Sequence, residues 1–163
     1  DLKLLLDYNE WANEKMLTAC HQLPAEELYA ARQCSFGSVI GTLAHIYAAE
    51  RAWRLRLQEC ISPKKLASAA DFSSLEALEV AWREETAMTQ AYIATLDDSA
   101  MARWNTYTTT NGWPEGSTLW KAWVHVVMHG MQFRADAGLI LAGMDCFSCS
   151  LDLLRSQLPT HSH

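Results

Sequence analysis

No stretch of this chain approaches the ~18 consecutive apolar residues that a membrane-spanning helix needs. Its first residues carry no basic-then-apolar leader pattern. The sequence also lacks a lysine/arginine stripe, and its 19 acidic against 13 basic residues give a net charge of −6. Nucleic acid is therefore not expected as a partner, because binding phosphates needs clustered cations. There is no Gly-rich phosphate loop, no G-x-S-x-G elbow, no His-Glu-x-x-His pair, no internal repeat and no low-complexity tract. Cysteines number five, an odd count scattered at positions 20, 34, 60, 146 and 149. That pattern predicts reduced thiols in a cytoplasmic protein, not a disulfide framework. Cys146 and Cys149 form a C-x-x-C, but no βαβ pattern or second pair accompanies it. Two incidental thiols are the better reading.

What is present is ample apolar material: half of the 163 residues are hydrophobic, and seven are tryptophan. This length fits one domain with one core, in which most tryptophans should lie in the core or at a subunit interface. Leu5, Tyr8, Trp11, Ala12 and Met16 recur at helical spacing, which predicts a helix over Leu2 to Leu23, closed by Pro24. Pro24-Ala25-Glu26-Glu27-Leu28 reads as a short helical turn with proline at its first position. A long helix is predicted from Ser38 to Glu59, with Leu43, Ile46, Ala49, Trp53 and Leu57 on one stripe. Pro63 ends that segment.

A third long helix should span Ser74 to Leu96. Ser73 is the stronger cap candidate, because Glu76 would complete a capping box with it. The β-branched run around Trp104 to Thr110, followed by Asn111-Gly112, predicts a short hairpin excursion. Ser117 is expected to cap a fourth long helix reaching Ala142, where Gly143 ends it. A final turn covers Leu151 to Leu158, and the tail His161-Ser162-His163 is read as frayed. The fold class is all-α: a four-helix bundle with an irregular or hairpin insertion before the last long helix.

Three of the six histidines attract attention. His45 sits mid-helix on the apolar side, and His125 and His129 are four apart on one helix face. A bundle core can build a metal site from facing helices, and neutral imidazole suits Zn, Ni, Cu or Fe. Spacing alone leaves the alternative of hydrogen-bonded core histidines open. Glu10, Glu14 and Glu50 read as surface carboxylates. Arg51, Arg54 and Arg56, interleaved with Glu50 and Glu59, read as a solvated helix face.

Three blocks carry a resemblance. They are Tyr8-Asn9-Glu10-Trp11-Ala12-Asn13, then Phe36-Gly37-Ser38 through His45-Ile46 with Glu50-Arg51-Ala52-Trp53, and His125-Val126-Val127-Met128-His129-Gly130. In this order and spacing, covering most of the chain, they resemble the DinB family (DinB/YfiT-like proteins). The resemblance implies a bundle, often dimeric, holding one divalent metal on three histidines. His45 matches the ligand of the second long helix, and His129 matches the first of two on the fourth. The third would fall at position 133, which here is Phe133, followed by Arg134.

Phenylalanine cannot ligate, so the matched triad is reduced to His45 and His129. His125 is the remaining candidate, about 6 Å from His129 along the axis. Asp136, about two turns beyond His129, is too far to join the same ion. Three outcomes stay open: an intact zinc or nickel site, a weak two- or three-histidine site, and a metal-free pocket filled by Phe133. The resemblance implies a thiol-dependent S-transferase or a metal-dependent hydrolase. The alternative is a degenerate, metal-free member acting as a stress-related small-molecule-binding or dimeric interaction protein. Catalytic residues are not assigned, and Arg134 is left either facing the pocket or paired with an acid.

Overall fold

The computed structural model describes residues 2–147 and 150–156. It is mostly helical, with four long helices, α1 (Leu2–Cys20), α3 (Val39–Gln58), α4 (Leu75–Ile93) and α6 (Leu119–Ala142). Two short helices, α2 (Ala25–Tyr29) and α5 (Asp98–Ala102), and the hairpin β1 (Trp104–Thr108) and β2 (Pro114–Thr118) complete the main elements. Single 3₁₀ turns lie at Ala69–Asp71 and Leu153–Arg155. Among the described residues no helix is long and apolar enough to cross a membrane.

Ser38 starts α3 as expected: its extended backbone halts the preceding loop, and its Oγ accepts from Gly41 N–H at 3.0 Å. Two cap assignments need correction. Ser74, not Ser73, caps α4, accepting from Ala77 N–H at 3.3 Å. Starting at Leu75 puts Leu75, Leu78, Trp82 and Glu85 on one buried stripe at helical spacing. Thr118, not Ser117, precedes α6 and gives no side-chain cap. Strand β2 runs straight into the helix, and Leu119 N–H is satisfied by the Arg103 carbonyl instead. Pro24 stands just before α2 rather than at its first position.

The hairpin is present, with Trp104 paired to Thr118 and Thr108 to Pro114. Gly112 turns its tip with φ +86°, a conformation that glycine adopts without strain. The tryptophans divide: Trp82 and Trp123 are buried, whereas Trp104, Trp113 and Trp120 are exposed. Trp11 and Trp53 are half-buried, so two of the seven are in the core, and the hairpin and the outer face of α6 carry three on the surface.

Helix α3 packs against α6 and α4, and α1 packs against α6. One apolar cluster gathers Met16, Leu17, Val39, Ile40, Leu43, Leu78 and Leu141. A second, at the opposite ends of α3 and α6, joins Leu57, Leu119, Trp123 and Val126.

Between the clusters lies a polar hub that overturns the surface reading of Glu50. Its carboxylate is buried and accepts from Asn9 Nδ2 at 2.7 Å, Asn13 Nδ2 at 2.9 Å and Trp82 Nε1 at 2.6 Å. Arg134 Nη1, also buried, donates to Asn9 Oδ1 at 2.8 Å and Asn13 Oδ1 at 2.7 Å. A buried carboxylate is tolerable only when its lone pairs are satisfied and an opposite charge is near. Arg134 is thus tied through both asparagines to an acid. The solvated reading of Arg54 and Arg56 fails as well, since both are buried and only Arg51 is exposed.

Candidate metal centre and its cleft

The site forms where α3 and α6 face each other. His45 on α3 and His129 on α6 bring their Nε2 atoms to 3.1 Å. Two bare lone pairs would repel at that distance, so without a metal one ring donates its N–H to the other. Burial is the main influence on both rings and pulls their pKa values below the ordinary histidine range, that of His129 down to about 4. The charges of His45, His125 and Arg134 lower His129 further. Both rings are therefore neutral near pH 7, the form that ligates metals.

Two phenylalanines close one side of the pair. Phe36 stacks on His45 with centroids 3.8 Å apart. Phe133 stands edge-on to His45 and lies 4.6 Å from the His129 ring. The loop carrying Phe36 is held to α6 by Ser35 N–H donating to Asp136 at 2.9 Å. Asp136 therefore holds a loop and lies outside the site.

His125 stands apart from the pair. Its ring centroid is 5.8 Å from that of His129, and it leans edge-on against Trp53 at 5.3 Å. On this open side runs a cleft of about 530 Å³, lined by all three histidines and by Trp53, Arg56, Tyr107, Glu115 and Lys121 among others. The hairpin supplies Tyr107 and Glu115, so the insertion forms one wall of the cleft. Among the described residues no group of three His, Cys, Asp or Glu side chains converges as a metal shell.

A model of the DinB family matches residues 1–153. The chain belongs to the DinB family. No curated protein matches it. Its DinB-like motifs therefore bring His45 and His129 together in space, leave His125 one turn away, and set Phe133 beside the pair.

Sequence reasoning missed Phe36 as a cover, Arg56 and Tyr107 as cleft walls, and Glu50 as a buried acid. Only Glu50 had a local signal. It occupies the apolar stripe Leu43, Ile46, Glu50, Trp53, Leu57, where a carboxylate facing solvent would be out of phase. Cys20 is buried, and its thiol is pushed up to about 12, mainly by burial. The described cysteines are free, and Cys149, half of the C-x-x-C, lies outside the described residues. So do the tail histidines 161 and 163 and the end of the last predicted turn.

Proposed function

We propose that this DinB-family protein binds one divalent metal ion, zinc or nickel, through His45 and His129, and acts on a small molecule held in the adjoining cleft. The observation that carries this reading is the 3.1 Å approach of the two neutral Nε2 atoms. Two nitrogens on one tetrahedral zinc, each at about 2.0–2.1 Å, sit about 3.3 Å apart. The pair fits two positions of such a shell. It does not fit a closed set of three, because Phe133 offers no lone pair. His125 would complete the set only by turning away from Trp53. A metal held there would act as a Lewis acid, lowering the pKa of a thiol or water, as in thiol S-transfer or hydrolysis.

The chain's own residues have distinct roles in this reading. Phe36 and Phe133 exclude water from one side of the pair. Trp53, Tyr107 and Arg56 shape the other side, where the substrate enters. The four long helices form the four-helix bundle of the family, in one domain.

The protein assembles as a homodimer. The outer face of α6 supports that assignment, because it exposes the apolar side chains Trp120, Met128, Met131 and Leu139. The free thiols suit the cytoplasm.

A second reading rests on Phe36 and Phe133: three aromatic contacts around the pair also suit a metal-free binding pocket. Metal content of the purified protein by mass spectrometry, with zinc and nickel titrations, decides between them. Metal bound near one equivalent and lost in His45→Ala and His129→Ala supports the first reading. No uptake by the wild type at micromolar metal overturns it and leaves the second.

A further inference from the structure

The metal reading gives Arg56 a place in the cleft wall but no use for its charge. Arg56 is 8 % exposed, and its Nε is buried without a hydrogen-bond partner. A buried guanidinium is costly unless paired. Arg54, two residues earlier on the same helix, shows the usual solution: it bonds Glu85, Glu59 and Gln58. Arg56 has no such carboxylate among the described residues. Instead, aromatic rings hold it, with Trp53 at 5.0 Å and Tyr107 at 5.4 Å from its central carbon. Cation–π contact with the two rings places the guanidinium but satisfies none of its N–H donors, which suit a bidentate oxyanion. Lys121, exposed on the first turn of α6, lines the same cleft and adds a second positive charge. The nearest acid, Glu115, is engaged by the Tyr107 hydroxyl, which donates to it at 3.1 Å.

We infer that the cleft takes a small molecule bearing an oxyanion, a carboxylate or a phosphate, which docks on Arg56 while the rest of the ligand reaches toward His45 and His129. This deepens the cleft reading proposed above and rests on it. It narrows the substrate class to anionic molecules, which the overall negative charge of the protein would not suggest.

The test uses the full chain, freed of metal with a chelator, and two probes: succinate and inorganic phosphate. Binding is followed by calorimetry and by the NMR shift of the Arg56 Nε–H resonance. The wild type should bind at least one probe saturably, and which one binds tells carboxylate from phosphate recognition. Arg56→Gln should weaken binding about tenfold or more, as loss of a charged hydrogen-bond pair does. Arg56→Lys should fall between, keeping the charge and losing the fork. Should Arg56→Gln unfold, Glu115→Gln still tests the idea. That residue is exposed, and removing its charge should tighten binding several-fold. Equal probe binding by wild type and all three variants, or none by the wild type, overturns the inference. Zinc uptake by the wild type is measured separately. Uptake without Arg56-dependent probe binding sinks this inference alone, and probe binding without zinc uptake sinks the metal assignment alone.

Discussion

The ring of Phe133 stands edge-on to that of His45, with centroids 4.7 Å apart and 78° between the planes. Because it also touches His129, position 133 is within reach of both imidazoles. A histidine placed there would join them. Phe133→His is expected to raise zinc affinity by at least about tenfold, the scale on which even the outer partners of metal ligands act. Competition against a chromophoric chelator measures it. Equal affinities for the two proteins would show that the His45–His129 pair is not where zinc binds.

A methyl group on Gly130 would sit 2.6 Å from Arg134 Nη1 and 2.9 Å from Asn9 Oδ1. The absent side chain is what lets the arginine reach both asparagines. Gly130→Ala should cost about 1–3 kcal/mol through overpacking. Arg134→Met should cost about 3–5 kcal/mol, because it leaves the buried Glu50 without its counter-charge. Combined, the two should cost less than their sum, since the methionine variant removes the nitrogen that the methyl meets. Urea unfolding of all four proteins gives the cycle, and strict additivity would refute the coupling.

Protonating His129 should cost the metal-free protein stability before its surface carboxylates titrate, against the opposite contribution of Glu50, whose carboxyl burial pushes up. His129 titrates near pH 4 when folded and near pH 6.5 when unfolded, so between those values the unfolded chain binds more protons. Its contribution to stability is present above pH 6.5 and is lost as pH falls toward 4. His45 and His125 are shifted the same way. Thermal melts from pH 7.5 to 4.5 should show this decline, and His129→Gln should flatten it. An unchanged slope in that variant would assign the acid sensitivity elsewhere.

Placing a charge on the outer face of α6 should separate the proposed dimer. Met128→Asp together with Leu139→Asp changes two exposed positions, so the fold should survive while association is lost. Sedimentation velocity at micromolar protein distinguishes the outcomes. A monomeric wild type would remove the dimer from the proposal.

The helices were legible because their signals are local. Ser38 at a helix start, Asn111-Gly112 at a tip and the stripe from Tyr8 to Met16 each act within a few residues. The meeting of His45 and His129, 84 positions apart, was legible only through the DinB-like motifs. The polar hub was half visible. Asn9 and Asn13 lie among Leu6, Ala12 and Met16, and Arg134 follows Val127 and Gly130, so each polar residue interrupts an apolar stripe. An interruption marks a buried polar group but does not name its partner. That partner lies about 40 residues away for Glu50 and its asparagines and over 120 away for Arg134. Phe36 and Tyr107 reach the site through a loop and a hairpin, and their positions depend on contacts that no periodicity records.

The hub also fixes an order in time. Asn9, Asn13, Glu50 and Trp82 leave the ribosome first, and their guanidinium partner arrives only with α6. Until then the carboxylate has three N–H donors and no positive charge, so the earlier helices cannot close around it at full stability. A chain ending at Thr118 should accordingly lack the cooperative unfolding transition of the whole protein, and it should regain one when a separate peptide of residues 119–153 is added. The last long helix is in this sense the closing element of the fold as well as a wall of its cleft.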